Sequence, residues 1–272
     1  MTGPVVLVPL DGSKQALGAL PIARRLAELA KASVRILHVT EAAGPLGKTA
    51  EALGLAAADL RGATLEVRAG SPAEAILAAA ADCGATLIVM CAQSADVGPA
   101  GAIGAALAVL SRAQCPVVMV GPTGAPAGWA LRRVLALHDG SPSVSDALRP
   151  AAELAHEAGA ELVVLQVAGD ERALEAGSMP PIMYLDQVQH GWPVWSEEFL
   201  QRLACVCPLA DVQVRLRVAH GEPAAETIRV AGEESADLIV LAWKGRWEAR
   251  HASRWNAMLQ GAPCPILVTR AS

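Results

Sequence analysis

Aromatic and charged residues are both scarce in this chain. Aromatic residues make up 3% of its 272 positions, with a single Tyr and a single Phe, and charged residues make up 18%. The hydrophobic share of 53% therefore comes mainly from Ala, Val and Leu, which is typical of a folded core rather than a disordered chain. No apolar run is long enough for a membrane-spanning helix, and no basic segment precedes an apolar stretch at the start. We therefore expect a soluble cytoplasmic protein.

The sequence also lacks the usual signals of nucleic-acid binding, metal binding and catalysis. The formal net charge is −5 and no run of Lys or Arg is present, so a nucleic-acid partner is not expected. Cys205 and Cys207 are the only close pair among six cysteines, and one such pair is a poor zinc signal. No Ser/His/Asp order, H-E-x-x-H or P-loop pattern occurs, and the six His are scattered, most of them expected at the surface or in turns. We expect no enzyme and no metal.

An internal repeat organises the chain. Residues 8–13 read V-P-L-D-G-S and return as A-L-H-D-G-S at 136–141. Further matches follow in the same order, namely G-S-P-A at 70–73 with G-E-P-A at 221–224, L-I-V at 87–89 with 238–240, and Cys-Pro at 115–116 with 264–265. A Pro- and Gly-dense stretch at 121–128 separates the copies. The repeat predicts two domains, 1–124 and 125–272.

Each copy follows a strand–helix alternation. In the first copy we predict strands at 4–10, 34–39, 65–68, 85–91 and 115–120, with a helix from Ser13 to about Ala32 and another from Pro72. The second copy repeats the later strands at 212–218, 236–242 and 264–268. The third strand alternates polar and apolar residues in both copies, which favours a sheet edge. Each half is therefore predicted to be an open α/β layer of five parallel strands with helices on both faces.

The second half contains an insertion of about 23 residues around 170–208. It holds Tyr184, Trp192, Trp195 and Phe199, including the only Tyr and the only Phe. Core packing is the ordinary interpretation of these aromatics, and a lid or an oligomer contact is the alternative.

These motifs together resemble those of a tandem universal stress protein, over nearly the whole chain apart from the linker and the insertion. The resemblance implies a parallel sheet of order 3-2-1-4-5 in each half and association through the last strand. The two halves would then pack as an internal pseudo-dimer, and a homodimer of the whole chain is a further alternative. Some members of the family bind ATP or AMP at the carboxyl end of the sheet.

The resemblance also indicates where a nucleotide would bind. ATP-binding members show G-x-x-G, nine residues and then G-S/T after the fourth strand. The first half reads C-A-Q-S at 91–94 and so lacks both leading glycines. The second half reads A-W-K-G at 242–245 and keeps the second leading glycine. Its best match to the closing G-S/T pair is Ala252-Ser253, three residues earlier than the pattern requires. The positions implied as nucleotide contacts are Asp11, Val39, Met90 and Gly104 in the first half and Asp139, Val167, Leu241, Ala242, Gly245, Ala252 and Ser253 in the second.

Two alternatives remain open at these positions. Asp11 and Asp139 either contact a ribose or adenine, or cap the turn before the next helix. The indoles of Trp243, Trp247 and Trp255 either stack on an adenine or fill the empty pocket themselves, and filling or packing is favoured. Basic residues follow Gly245 and would attract an anion, namely Arg246, Arg250, His251 and Arg254, with Lys244 just before. We expect a non-catalytic stress-response protein that binds a protein partner or small ligand; the alternative is an adenine-nucleotide sensor or slow ATPase using the second half.

Overall fold

The computed structural model describes residues 3–40, 46–91, 102–122, 124, 128–138, 148–168, 201, 204–205, 209, 211–243, 255 and 257–270. The strands are β1 (Val5–Leu10), β2 (Ser33–Thr40), β3 (Ala63–Ala69), β4 (Ala85–Cys91), β5 (Val117–Val120), β6 (Arg133–Leu137), β7 (Glu161–Ala168), β8 (Val214–His220), β9 (Leu238–Trp243) and β10 (Ile266–Arg270). The helices are α1 (Lys14–Leu17), α2 (Ala19–Leu29), α3 (Leu46–Ala52), α4 (Pro72–Cys83), α5 (Ala102–Arg112), α6 (Arg149–Ala158) and α7 (Pro223–Glu233), and residues 257–261 are also helical. None of the helices in this described part has the length and apolar character needed to span a bilayer.

The strands form one ten-stranded sheet in the order β3-β2-β1-β4-β5-β10-β9-β6-β7-β8. Within each half the strands are parallel and follow the order 3-2-1-4-5, which confirms the predicted fold class. Strands β5 and β10 pair antiparallel, so the two predicted five-stranded sheets are continuous rather than separate. The halves associate through their last strands, as the resemblance implied.

The joint between the halves is self-complementary. Val118 pairs with Leu267, and each is the third residue after its Cys-Pro cysteine. The flanking pairs, Val117 with Val268 and Met119 with Ile266, exchange places under the same two-fold relation. All six side chains are buried. The sheet edge through which separate chains of this fold would pair is therefore used inside one chain.

Helices cover both faces of the sheet. On the first face α1, α2 and α6 contribute to one apolar core, and α2 contacts α6. On the second face α4, α5, α7 and the helical residues near 258 contribute to another. Strand residues alternate between the cores, with Val6 and Val8 in the first and Leu7 in the second. The alternating strands β3 and β8 lie at the two ends of the sheet, which confirms the edge prediction.

The helix predicted from Ser13 to Ala32 is wrong as one continuous element. Ser13 caps its start, since its Oγ accepts from the Ala16 N–H at 3.1 Å, but the helix breaks at Gly18 and ends at Leu29. Pro21 has no N–H to donate to the Leu17 carbonyl four residues earlier, so a regular turn cannot continue there. Gly18 also lies against the linker, where an added Cβ would sit 3.2 Å from the Gly124 Cα.

The third strand of the second half begins two residues later than predicted. Asp211 has a positive φ of 64°, and the Val212 N–H donates to the Leu209 carbonyl, so this segment forms a turn before β8.

The proposed boundary at 124/125 and the four aromatics of the insertion involve residues outside the described ranges, apart from Gly124.

Candidate ligand-binding site

The site predicted by topology lies at the carboxyl edge of the sheet. Strand order reverses between β1 and β4 in the first half and between β6 and β9 in the second. Chains leaving neighbouring strands in opposite directions open a crevice at such a point, and ligands of parallel α/β sheets bind there. The topology therefore predicts one crevice in each half.

Asp11 follows β1 and shapes the turn at the first crevice. Its Oδ1 accepts from the Ser13 N–H at 2.8 Å, and Gly12 between them has a φ of 90° that favours glycine. The turn-capping alternative is thus observed for Asp11. A ligand contact by the same carboxylate stays a prediction.

Cys91 ends β4 and occupies the position of the first leading glycine. It is buried, and its Sγ lies 3.8 Å from the Gly121 carbonyl oxygen, to which it donates. Burial raises the pKa of this thiol to about 11, and the nearby Asp11 carboxylate adds to the shift. The Cys91 side chain packs in the first-face core, so position 91 carries a buried neutral thiol where the resemblance implies a glycine.

The other predicted residues of the first half lie on the second face. Val39 and Met90 belong to the core that packs against α4 and α5. Gly104 lies in α5, and an added Cβ there would meet nothing within 4 Å. Gly104 is exposed, so this open space is solvent and not an enclosed pocket.

In the second half the structure places only part of the predicted set. Val167 and Leu241 pack against the second-face core, and Ala242 is half-buried at the end of β9. The remaining predicted contacts lie outside the described residues, namely Asp139, Gly245, Ala252 and Ser253, as do Lys244, Arg246, Trp247, Arg250, His251 and Arg254.

The sequence pattern does not distinguish the three late indoles, whereas the structure places Trp255 in the core. It is 9% exposed and belongs to the second-face core together with Met258 and Leu259. The signal was present in the sequence, because positions 255, 258, 259 and 262 have the spacing of one helix face. For Trp255, packing inside the protein is observed.

Two histidines depart from the expected surface or turn positions. His38 lies on β2, half-buried, with its Nδ1 2.9 Å from the Leu10 carbonyl oxygen. His138 directly follows β6 and is 5% exposed, and its N–H donates to the Leu165 carbonyl. Each stands at the carboxyl edge of its half. Alternation of the flanking apolar residues was the available signal for burial.

Cysteine chemistry at the opposite, amino edge is suppressed by burial. Burial raises the pKa of the Cys115 thiol to about 11 and that of the Cys264 thiol to about 12. Cys205, in contrast, is exposed. In the part of the chain that the structure describes, no group of three His, Cys, Asp or Glu residues could hold a metal ion.

An ion-pair network occupies the amino edge of the second half. The Glu161 carboxylate accepts from Arg133 Nε at 2.8 Å and from Arg215, and Arg215 also contacts Glu234 at 2.6 Å. The hydrogen bond from Arg215 holds the pKa of Glu161 below its usual range, against the opposing effect of burial. The network binds β6, β7 and β8 to the end of α7. It lies at the other end of the strands from the crevice, so its role is structural.

Comparison with known proteins points to one family. The model described as universal stress protein family matches residues 4–121 and 130–270. Universal stress protein YxiE of Bacillus subtilis (strain 168) is 30% identical over 146 residues, covering 51% of this chain and 98% of that protein. A universal stress protein structure from Archaeoglobus fulgidus DSM 4304 covers 100% of this chain and 97% of its own, with 17% identity and a TM-score of 0.68. The structure of an Archaeoglobus fulgidus universal stress protein in complex with dAMP covers 52% of this chain and 98% of its own, with 19% identity and a TM-score of 0.35.

Proposed function

Because the chain belongs to the universal stress protein family, we propose that it is a non-catalytic binding protein of the stress response. It engages a small ligand or a protein partner in the cytoplasm and does not turn over nucleotide. The observation that carries this proposal is the buried thiol of Cys91 at the end of β4, where the resemblance implies a glycine.

A side chain at position 91 works against phosphate binding in two ways. Glycine-rich loops hold phosphate because the backbone N–H groups can approach it closely and can adopt left-handed angles. Cys91 adds a Cβ and a sulfur at this position, and its high pKa keeps the thiol uncharged. The Asp11 turn is already closed by its own Ser13 N–H. These features favour a ligand without a triphosphate.

Turnover is tested by incubating the purified chain with Mg-ATP and measuring released phosphate. We expect release at the rate of the buffer alone, in the wild type and in Asp139→Ala. Phosphate release that disappears in Asp139→Ala would refute the non-catalytic assignment, because it would make the second half an ATPase.

A second candidate is an adenine-nucleotide sensor or slow ATPase that uses the second half. It is favoured by Gly245, which keeps one leading glycine, and by the basic residues around it. Isothermal titration with AMP tests it directly. Binding heat that Gly245→Val removes would support the sensor, and the absence of heat would eliminate it.

A further inference from the structure

Two cysteines of the first half lie at the same end of neighbouring strands. Cys83 is the last residue of α4 and stands two residues before β4, and Cys115 stands two residues before β5. Strands β4 and β5 pair in parallel, so both cysteines lie at the amino edge of this pair. The fold therefore brings together two thiols that are far apart in the sequence.

Both thiols lie on the second face of the sheet. Cys83 follows Ile76, Ala79 and Ala80 at the spacing of one helix face, and these three residues belong to the second-face core or pack against it. Cys115 packs against the same core from the start of β5. Cys83 is half-buried, and its Sγ donates to the Ala80 carbonyl oxygen over 3.7 Å. The helix thus supplies one thiol and the strand the other.

The electrostatics of Cys115 indicate that the two thiols are near neighbours. Burial is the main cause of its raised pKa of about 11, and a charge on Cys83 raises this pKa further. Such an effect between like charges acts over a few ångströms. For Cys91 and Cys264, the other thiols with a raised pKa, the neighbouring charge is a carboxylate. Cys83 and Cys115 are therefore the two thiols that the structure pairs.

The second half does not repeat this pair. Glu234 stands in the place of Cys83, since each directly precedes the left-handed residue that follows its helix. Cys264 keeps the place of Cys115. The Glu234 carboxylate contacts Arg215 at 2.6 Å instead. The second half therefore has one thiol of the two and supplies a control within the same chain.

We propose that Cys83 and Cys115 form a disulfide when the protein meets hydrogen peroxide, which makes the amino edge of the first half a redox site. The raised pKa of Cys115 keeps its thiol neutral, so the attack on the peroxide falls to Cys83. The Cys83 sulfur takes one oxygen, the O–O bond breaks, water leaves and a sulfenic acid remains.

The second step closes the bridge. The Cys115 sulfur attacks the Cys83 sulfur, the S–O bond breaks, and the departing hydroxide leaves as water with the Cys115 proton. The closeness of the two sulfur atoms compensates for the small thiolate fraction of Cys115. In sum the two thiols lose two electrons, and one hydrogen peroxide is reduced to two waters.

The bridge ties the end of α4 to the strand that forms the joint. Val117, two residues after Cys115, pairs with Val268 of the second half. A cross-link that closes a loop of about 30 residues restricts the unfolded chain, so the oxidised protein should melt at a higher temperature. The redox site therefore acts on the stability of the first half and does not depend on what the predicted crevices bind.

Peptide mapping after a slight excess of hydrogen peroxide at neutral pH tests the proposal on the native, reduced chain. After a quench with N-ethylmaleimide, we expect tryptic peptides 69–112 and 113–132 to be joined with the loss of two hydrogen atoms. Peptide 69–112 also contains Cys91, so fragment ions must place the bridge at Cys83. Cys264→Ser is the matched control and should form the same bridge as the wild type.

Two further variants test the order of the steps. Cys115→Ser should retain the sulfenic acid on Cys83, which dimedone traps, whereas Cys83→Ser should give no dimedone adduct at Cys115. The bridged wild type should melt about 5 °C or more above the reduced protein, and both variants should lack this rise. A bridge from Cys83 to Cys91, a bridge between two chains, or a native wild type in which Cys83 and Cys115 stay unlinked would overturn the proposal.

Discussion

The two halves share their strand order and the apolar faces that form their cores, but they differ at the carboxyl edge of the sheet. In the first half the end of β4 carries the buried Cys91 thiol, and Gly104 is exposed on α5. The second half keeps Gly245 in its sequence and has Trp255 in the second-face core, where the first half has Ala106. Residues that form the joint and the cores obey the same packing constraints in both halves. Residues at the crevices are under no such shared constraint, and there the halves have diverged.

The joint is where a single substitution should have the largest effect. Leu267→Asp places a charge between buried partners, and we expect a loss of about 4 kcal/mol or more in the free energy of unfolding. Val218→Asp is the matched control on the exposed edge strand β8, where the change should stay within about 0.5 kcal/mol. Calorimetric unfolding compares them. Equal melting temperatures would contradict a joint that stabilises both halves.

The ion-pair network of the second half should give the next largest effect. Glu161→Gln removes the carboxylate that Arg133 and Arg215 share, and we expect a loss of about 1–3 kcal/mol near neutral pH. The folded-state pKa of Glu161 is lowered, so its contribution is present above the ordinary value of 4.5 and is lost as the pH falls through the lowered value.

Melting temperatures measured from pH 7 down to strong acid check this. The wild type and Glu161→Gln should converge at low pH. Glu74→Gln, which breaks the exposed pair with Arg112 in the first half, should change little at any pH. A difference between wild type and Glu161→Gln that grows on acidification would contradict the assigned direction.

Restoring the leading glycines should bring the first half closer to its ATP-binding relatives. Cys91→Gly with Ser94→Gly is expected to cost about 1 kcal/mol of stability, because glycine loses more conformational freedom in a strand. Addition of Mg-ATP should raise the melting temperature of this double variant but not that of the wild type. Cys91→Ala, which removes the thiol but keeps a Cβ, is the control. The same response in both variants would show that the backbone at position 91 is not the obstacle.

The last prediction concerns thiol reactivity and involves no change in stability. Buried and exposed cysteines should differ in their rate of alkylation. At pH 8 iodoacetamide should modify Cys205 and spare Cys91, Cys115 and Cys264, whose thiols have pKa values of about 11 to 12. Mass spectrometry of peptides from folded and denatured protein measures this. Rapid modification of Cys264 in the folded chain would contradict its burial.

The sequence predicted the fold well because the signals for it are repeated and local. The apolar strand at 4–10, the Pro72 and Pro223 helix starts and the alternating edge strands all correspond to observed elements. The break at Gly18 was missed because an apolar helix stripe continues across it, although Pro21 was visible. Burial of Trp255 agrees with the favoured interpretation of the late indoles, and the helix-face spacing of positions 255, 258, 259 and 262 was its sequence signal. The role of Asp139 and of the residues around Gly245 stays a prediction.

The central claim is that the protein is not an enzyme and binds ATP and AMP at most weakly. Its most direct test is a titration with ATP and AMP, with and without Mg²⁺, that follows melting temperature and Trp fluorescence together. The account predicts no saturable change up to about 1 mM, which corresponds to binding weaker than about −4 kcal/mol. A saturable rise in melting temperature that disappears in Gly245→Val would contradict it and would make the second half a nucleotide sensor.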